Sequence, residues 1–151
     1  MLYERHREKF TVSTDPARLD VDAVHAFLST SYWAQGIPRE TVATALRNSL
    51  CFGLYEVDRQ VGLARMVTDR ATFAYLCDVY VLPECRGLGL GRWLMQCVMA
   101  HPDLAGLRRL VLVTRDAHDL YRPLGFEELS RPESYMEIAR PGIYQKSTAP
   151  I

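Results

Sequence analysis

Three glycines spaced by single leucines, Gly87-Leu88-Gly89-Leu90-Gly91, stand between Arg86 and Arg92, separated from the apolar run Val79-Tyr80-Val81-Leu82 only by Pro83-Glu84-Cys85. Residues without a Cβ let the backbone approach a ligand and adopt positive φ, so successive N–H groups can converge on one anion. The residues from Arg92 to about Ala100 suit a helix, whose first-turn donors and positive dipole end would add to the site. Arg86 and Arg92 add full charges. This chemistry favours a pyrophosphate and hence a phosphorylated cofactor. Two familiar phosphate loops do not fit. A dinucleotide fingerprint counted from Gly87 meets its third glycine one place early, at Gly91, and counted from Gly89 it meets Leu94. A nucleoside triphosphate loop needs Gly-Lys-Ser/Thr where the chain has Gly91-Arg92-Trp93.

Downstream, the apolar run Leu110-Val111-Leu112-Val113 leads into Thr114 and then Ala117-His118-Asp119-Leu120-Tyr121, closing on Gly125-Phe126. Together the two motifs resemble those of the GNAT superfamily of acyl-CoA N-acyltransferases. Arg86, Gly89 and Gly91 fall on the fixed positions of its Arg/Gln-x-x-Gly-x-Gly/Ala loop. Ala117, Tyr121, Gly125 and Phe126 fall on its strand, short helix and Tyr-x-x-x-Gly-Phe, with Thr114 where many members have Asn. The resemblance implies acetyl-CoA in a V-shaped opening between two parallel strands. Backbone groups near Val79 and Val81 would orient the pantetheine arm, Arg86, Gly87, Leu88, Gly89, Gly91 and Arg92 would hold the pyrophosphate, and Thr114 would border the cofactor. It also implies Tyr121 as the general acid that protonates the leaving thiolate, a task suited to a phenol with pKa near 10.

The general base is less defined. The stretch Tyr75-Leu76-Cys77-Asp78-Val79-Tyr80-Val81 resembles the Leu-Glu-Asp-aromatic-aromatic-Val strand of polyamine acetyltransferases, but Cys77 replaces the Glu proposed there as base. Asp78 is the nearest acid, and strand alternation sends its side chain to the face opposite Cys77, where it could instead pair with an arginine or brace the loop. His118 shares a helix face with Tyr121 and could relay a proton or serve as scaffold. For the acceptor, the aromatics Tyr32, Trp33 and Tyr75 and the acid Asp69 are the candidates; Trp33 equally suits a core and Asp69 a turn.

These residues need elements to position them. Residues 9–13 read as a first strand, Asp20 or Asp22 as the cap of a helix carrying Val24, Phe27 and Leu28, and Pro38 as the opening of a second helix. Strands follow at 50–57 and 61–67, joined as a hairpin, and at 72–82, feeding the glycine loop. After the next helix come a strand at 109–114, the Tyr121 helix, and an antiparallel pair at 126–129 and 134–138. The order suits one α/β domain over residues 1–138, a mixed sheet of about seven strands flanked by about four helices with a splayed parallel pair, and a tail at 139–151.

Lys plus Arg and Asp plus Glu are both 18, so no overall basic field favours nucleic acid or an anionic membrane. The four cysteines form no Cys-x-x-Cys pair and read as free thiols of a cytoplasmic protein, with no metal expected. The expectation is an acetyl-CoA-dependent N-acetyltransferase acting on a primary amine of a small molecule, in a ternary complex. An idle acyl-CoA sensor and a peptide-directed enzyme are the alternatives, and a homodimer is compatible with either.

Overall fold

The computed structural model describes residues 2–145. The sheet has six strands in sequence order: β1 (Glu4–Arg7), β2 (Phe10–Ser13), β3 (Leu50–Glu56), β4 (Arg59–Thr68), β5 (Phe73–Val81) and β6 (Arg109–Leu112). All neighbours are antiparallel except β5 and β6, which run parallel. Four helices accompany them: α1 (Val21–Leu28), α2 (Arg39–Arg47), α3 (Leu90–Met99) and the short α4 (His118–Tyr121).

Each helix starts where the chemistry of its first turn allows. Asp20 caps α1 by accepting from the Ala23 N–H at 3.0 Å, and Pro38 sits at the cap of α2, where a missing N–H costs nothing. Both then bury residues four apart, Val24 with Leu28 and Val42 with Leu46, against one face of the sheet. Phe27 of α1 stacks on Tyr80 of β5 with centroids 3.9 Å apart. On the other face α3 buries Leu90, Leu94, Met95 and Val98, completing a second apolar layer with Phe52, Leu54, Met66 and Leu76. The sheet is thus covered on both sides. All of β3 except its last residue is buried, as a central strand should be.

Two features depart from the sequence reading. The strand expected at 9–13 is the second arm of a hairpin whose first arm, β1, carries Glu-Arg-His-Arg and no apolar alternation. Pairing with β2 makes it a strand, and its charges suit a sheet edge. The antiparallel pair expected at 126–129 and 134–138 does not form. Those residues run as irregular chain interrupted by a single 3-10 turn at Pro132–Ser134, and β6 is the last strand of the sheet among the described residues. A strand needs a ladder partner, and neither segment pairs with β6. Of the expected tail, Tyr144 packs against the α1–α2 layer, and residues 146–151 lie outside the described residues.

Candidate active site

The site begins where the parallel pair ends. β5 and β6 are in register from Phe73 opposite Arg109 to Leu76 opposite Leu112, and there the pairing stops while β5 continues to Val81. On its other edge β5 passes a register shift opposite Leu63 and Arg65, and Asp78 within it has φ of 54°. A bulge of this kind adds twist and re-aims side chains. It also overturns the expected alternation, because Cys77 and Asp78 border the same cleft.

That cleft, of about 360 Å³, opens between β5, the segment after β6 and the α1–α2 connection. Tyr32, Trp33 and Tyr75 supply aromatic walls, and Tyr121 lines the cleft together with residues 112–117. Tyr121 is only 8% exposed, and burial pushes its phenol up to about 12, so it stays protonated at neutral pH. Phe126 stands edge-on to its ring at 6.0 Å. Burial likewise pushes the Cys77 thiol up to about 11, which keeps it from acting as a thiolate.

Asp78 is fully engaged. Its Oδ1 accepts from the Trp33 indole N–H and its Oδ2 from Arg65 Nε, both at 2.8 Å. Arg65 and Asp78 are 18% and 11% exposed, so this is a mostly buried ion pair, and Arg65 also donates to Ser49 Oγ at 3.0 Å. The pair fixes Trp33, whose ring meets Tyr32 edge-on at 5.1 Å. Arg115 lies 3.8 Å over the Tyr32 ring and ties the α1–α2 connection to the loop after β6.

The glycine loop sits beside the end of β5. Gly87 has φ of 83° and Gly89 φ of 75°, a region that glycine enters freely. A Cβ at Gly87 would meet nothing within 4 Å, so the space above the loop is open. Gly89 caps α3 without any side-chain hydrogen bond, leaving first-turn N–H groups directed at that space. Arg86 donates from Nε to the Val81 carbonyl at 3.1 Å and braces the loop, whereas Arg92 is exposed on the first turn of α3. The guanidinium of Arg7 stands 3.8 Å from where a Cβ of Gly89 would be. A diphosphate in this cradle would meet backbone donors, a helix N-terminus and cationic side chains, so the residues fit the group.

Not every expected residue joins the cleft. Thr114 borders it, but its Oγ1 accepts the Ala117 N–H at 3.0 Å and so shapes the turn into α4. His118 borders a separate slot behind Tyr121 rather than the cleft. Asp69 lies at the far end of β5, where its carboxylate accepts the N–H groups of Ala71, Thr72 and Phe73 and the Thr72 hydroxyl. Sequence reading missed Arg7, Arg65 and Arg115. Only Arg65 carried a signal, a charge inside the apolar strand Val61-Gly62-Leu63-Ala64-Arg65-Met66-Val67 that demands a buried partner.

Comparison with known proteins agrees with this geometry. Residues 47–128 match the model of the acetyltransferase (GNAT) domain. A Gibberella zeae protein named as a candidate acetyltransferase is 42% identical over 146 residues, covering 81% of each chain. The crystal structure of a candidate GNAT-family acetyltransferase from Xanthomonas campestris pv. campestris superposes with a TM-score of 0.89 at 49% identity, covering 95% of this chain and 100% of that one. Serotonin N-acetyltransferase 2 of Oryza sativa subsp. japonica is 32% identical over 126 residues, covering 78% of this chain and 61% of that one. The chain therefore belongs to the GNAT family and is an acetyl-CoA-dependent acetyltransferase.

Proposed function

We propose that the enzyme transfers the acetyl group of acetyl-CoA to the primary amine of a small molecule in one ternary complex. The observation that carries this reading is a protonated, buried Tyr121 lining a cleft that opens where β5 and β6 part. The loop at 86–92 and Arg7 hold the diphosphate, and the free edge of β5 around Val79 and Val81 receives the pantetheine arm. The amine nitrogen attacks the thioester carbonyl, the C–N bond forms and the C–S bond breaks. Tyr121 gives its proton to the departing sulfur and regains one as the product nitrogen sheds its surplus proton.

Asp78 is assigned a positioning role, since its two oxygens accept from Trp33 and Arg65 and so hold the indole in the wall of the cleft. An amine that arrives as ammonium gives its extra proton to water in the open cleft before the attack. Tyr32, Trp33 and Tyr75 favour an amine that carries an apolar or aromatic group. The rice relative is named for serotonin, an aromatic amine, which agrees with that preference.

The test is acetyl-CoA-dependent release of free thiol against arylalkylamines, polyamines, amino sugars, amino acids and peptide amines, with mass spectrometry of the products. Turnover concentrated among the arylalkylamines supports the reading. Acetylation of peptides alone, or tight calorimetric binding of acetyl-CoA with no turnover on any amine, overturns it.

A further inference from the structure

A cavity of about 560 Å³, larger than the cleft, lies at the other end of α3. That helix starts at the glycine cradle and ends at Met99, about 15 Å away at 1.5 Å per residue, just before His101 in the cavity wall. The cavity shares no lining residue with the cleft. Its size falls in the range of about 300–1,000 Å³ that small organic ligands occupy. Leu2, Tyr3, Pro16, Leu50 and Pro102 give it apolar walls. Two donors among its polar lining are uncommitted. His101 is 7% exposed, with its ring held by Tyr3 at 4.9 Å and Phe52 at 5.5 Å. The Asp103 N–H donates to its Nδ1 at 3.1 Å, so the ring, kept neutral by burial, carries its hydrogen on Nε2. Among the described residues no group accepts that N–H, whereas the Tyr3 hydroxyl already donates to the Cys97 carbonyl and Thr14 Oγ1 accepts the Tyr3 N–H. A mostly buried donor without an acceptor costs free energy that a ligand would recover. Arg70 is the second donor. It gives one guanidinium nitrogen to the Asp103 carboxylate at 2.6 Å and keeps its other N–H groups. Asp103 thus ties both donors together, His101 through its backbone and Arg70 through its side chain.

We propose that this cavity binds a small organic acid, one carboxylate on an apolar body, at a second site separate from the catalytic cleft. The carboxylate accepts from His101 Nε2–H and from the guanidinium of Arg70, and the body lies against Leu50 and the two prolines. A flat anion with two oxygens suits one ring N–H beside one guanidinium fork. The charge of the head is limited to one. His101 is neutral, and the Asp103 carboxylate in the same wall offsets Arg70, so a dianion such as a phosphate monoester would meet net repulsion. A primary amide of the same body offers a single acceptor and turns its NH₂ toward the donors, which leaves one of them unpaired. Because α3 separates the two sites and no lining residue is shared, acid and cofactor bind together.

The probes are 4-phenylbutyrate, 3-indolepropionate and octanoate, each with its primary amide, titrated by calorimetry into the full chain under saturating CoA. At least one acid should bind, with its amide about tenfold weaker or more. In side-chain nitrogen-15 spectra the response should fall on His101 among the four histidines of the chain. Arg70→Gly should weaken the acid by about tenfold while the melting temperature is kept, since the ion pair with Asp103 is exposed and glycine suits the φ of 62° at this position. His101→Phe, which keeps a ring between Tyr3 and Phe52, should weaken it to the same extent. No binding of any of the three acids at millimolar concentration would overturn the proposal. So would equal affinity for acid and amide, displacement of the acid by CoA, a response at His118 in place of His101, or an affinity indifferent to both variants.

Discussion

An aspartate stands in the turn before β5 and another near the end of that strand, and their fates are opposite. Just before the strand Asp69 spends its carboxylate on its own turn, accepting three backbone N–H groups and one hydroxyl within four residues. Toward the other end Asp78 reaches two side chains from distant elements, Trp33 and Arg65, and the strand's neighbour on one side has already stopped. The first end is closed on itself. The second leaves backbone groups, aromatic rings and a phenol facing a cleft. Function gathers where the fold leaves polar groups unspent, because every group already satisfied locally has nothing left to offer a ligand.

The largest effect that could break this contrast is at Tyr121. Tyr121→Phe keeps the ring and removes the acid, so kcat should fall by about 10²–10⁴-fold. Calorimetric affinity for acetyl-CoA should hardly move. A variant with unchanged kcat would mean that the cleft end of β5 supplies no acid. Gly89→Asp comes next, since it puts a carboxylate beside the diphosphate cradle at a position with φ of 75°. The loss of charge-assisted donors should weaken acetyl-CoA binding by roughly 10–100-fold, at about 1.5–3 kcal/mol. Unchanged affinity would place the cofactor elsewhere.

Asp78→Asn sharpens the contrast at the carboxylate itself. It leaves the mostly buried Arg65 guanidinium without its counter-charge, and should cost about 2–3 kcal/mol of stability. In a positioning role the variant raises KM for the amine through a loosened Trp33, and the shape of the kcat–pH profile stays that of the parent. Disappearance of the acid limb from that profile would instead make Asp78 the base.

How much of this was legible beforehand follows from how far apart the partners lie in sequence. The glycine cradle and Tyr121 were readable because each is a contiguous pattern on one strand–turn–helix unit. Strands β3, β4 and β5 were readable from their long apolar runs, within one or two residues of their observed ends. The Trp33–Asp78 bond was not readable, because it joins residues 45 positions apart through a bulge that alternation does not foresee. β1 was hidden because Glu-Arg-His-Arg has no strand pattern of its own and takes its shape from β2. The strand expected at 134–138 does not form, because a local pattern makes a strand only where a neighbouring segment supplies the ladder, and none of the described residues pairs there.

Alkaline pH should expose the same cleft through stability. Burial raises Tyr121 from 10.0 to about 12 and Cys77 from 9.0 to about 11. Both are neutral below their unfolded values, so their contribution is fully present below about pH 9. It is lost as pH rises through about 11 to 12, when the buried groups must ionise. Melting temperature followed from pH 8 upward should decline over that window, and less so in Tyr121→Phe. A parallel decline in both proteins would show that Tyr121 is not the group being titrated.

The smallest effect is expected at Asp69, and it completes the contrast from the closed end. The hydrogen bonds from Thr72, Ala71 and Phe73 hold its carboxyl well below the usual carboxylate range. A depressed folded value means that its stabilisation is present above the unfolded value of 3.8 and is lost as pH falls through the folded one. Asp69→Ala should therefore flatten the acid side of the stability profile, lowering the melting temperature slightly at neutral pH, with the difference from the parent starting to shrink only as pH falls below about 3.8. Its kcat and KM should match those of the parent on every amine, since the turn lies at the opposite end of β5 from Cys77 and Asp78. A raised KM in Asp69→Ala would mean that the acceptor extends along the whole strand, and that an acid satisfied by its own backbone can still bind.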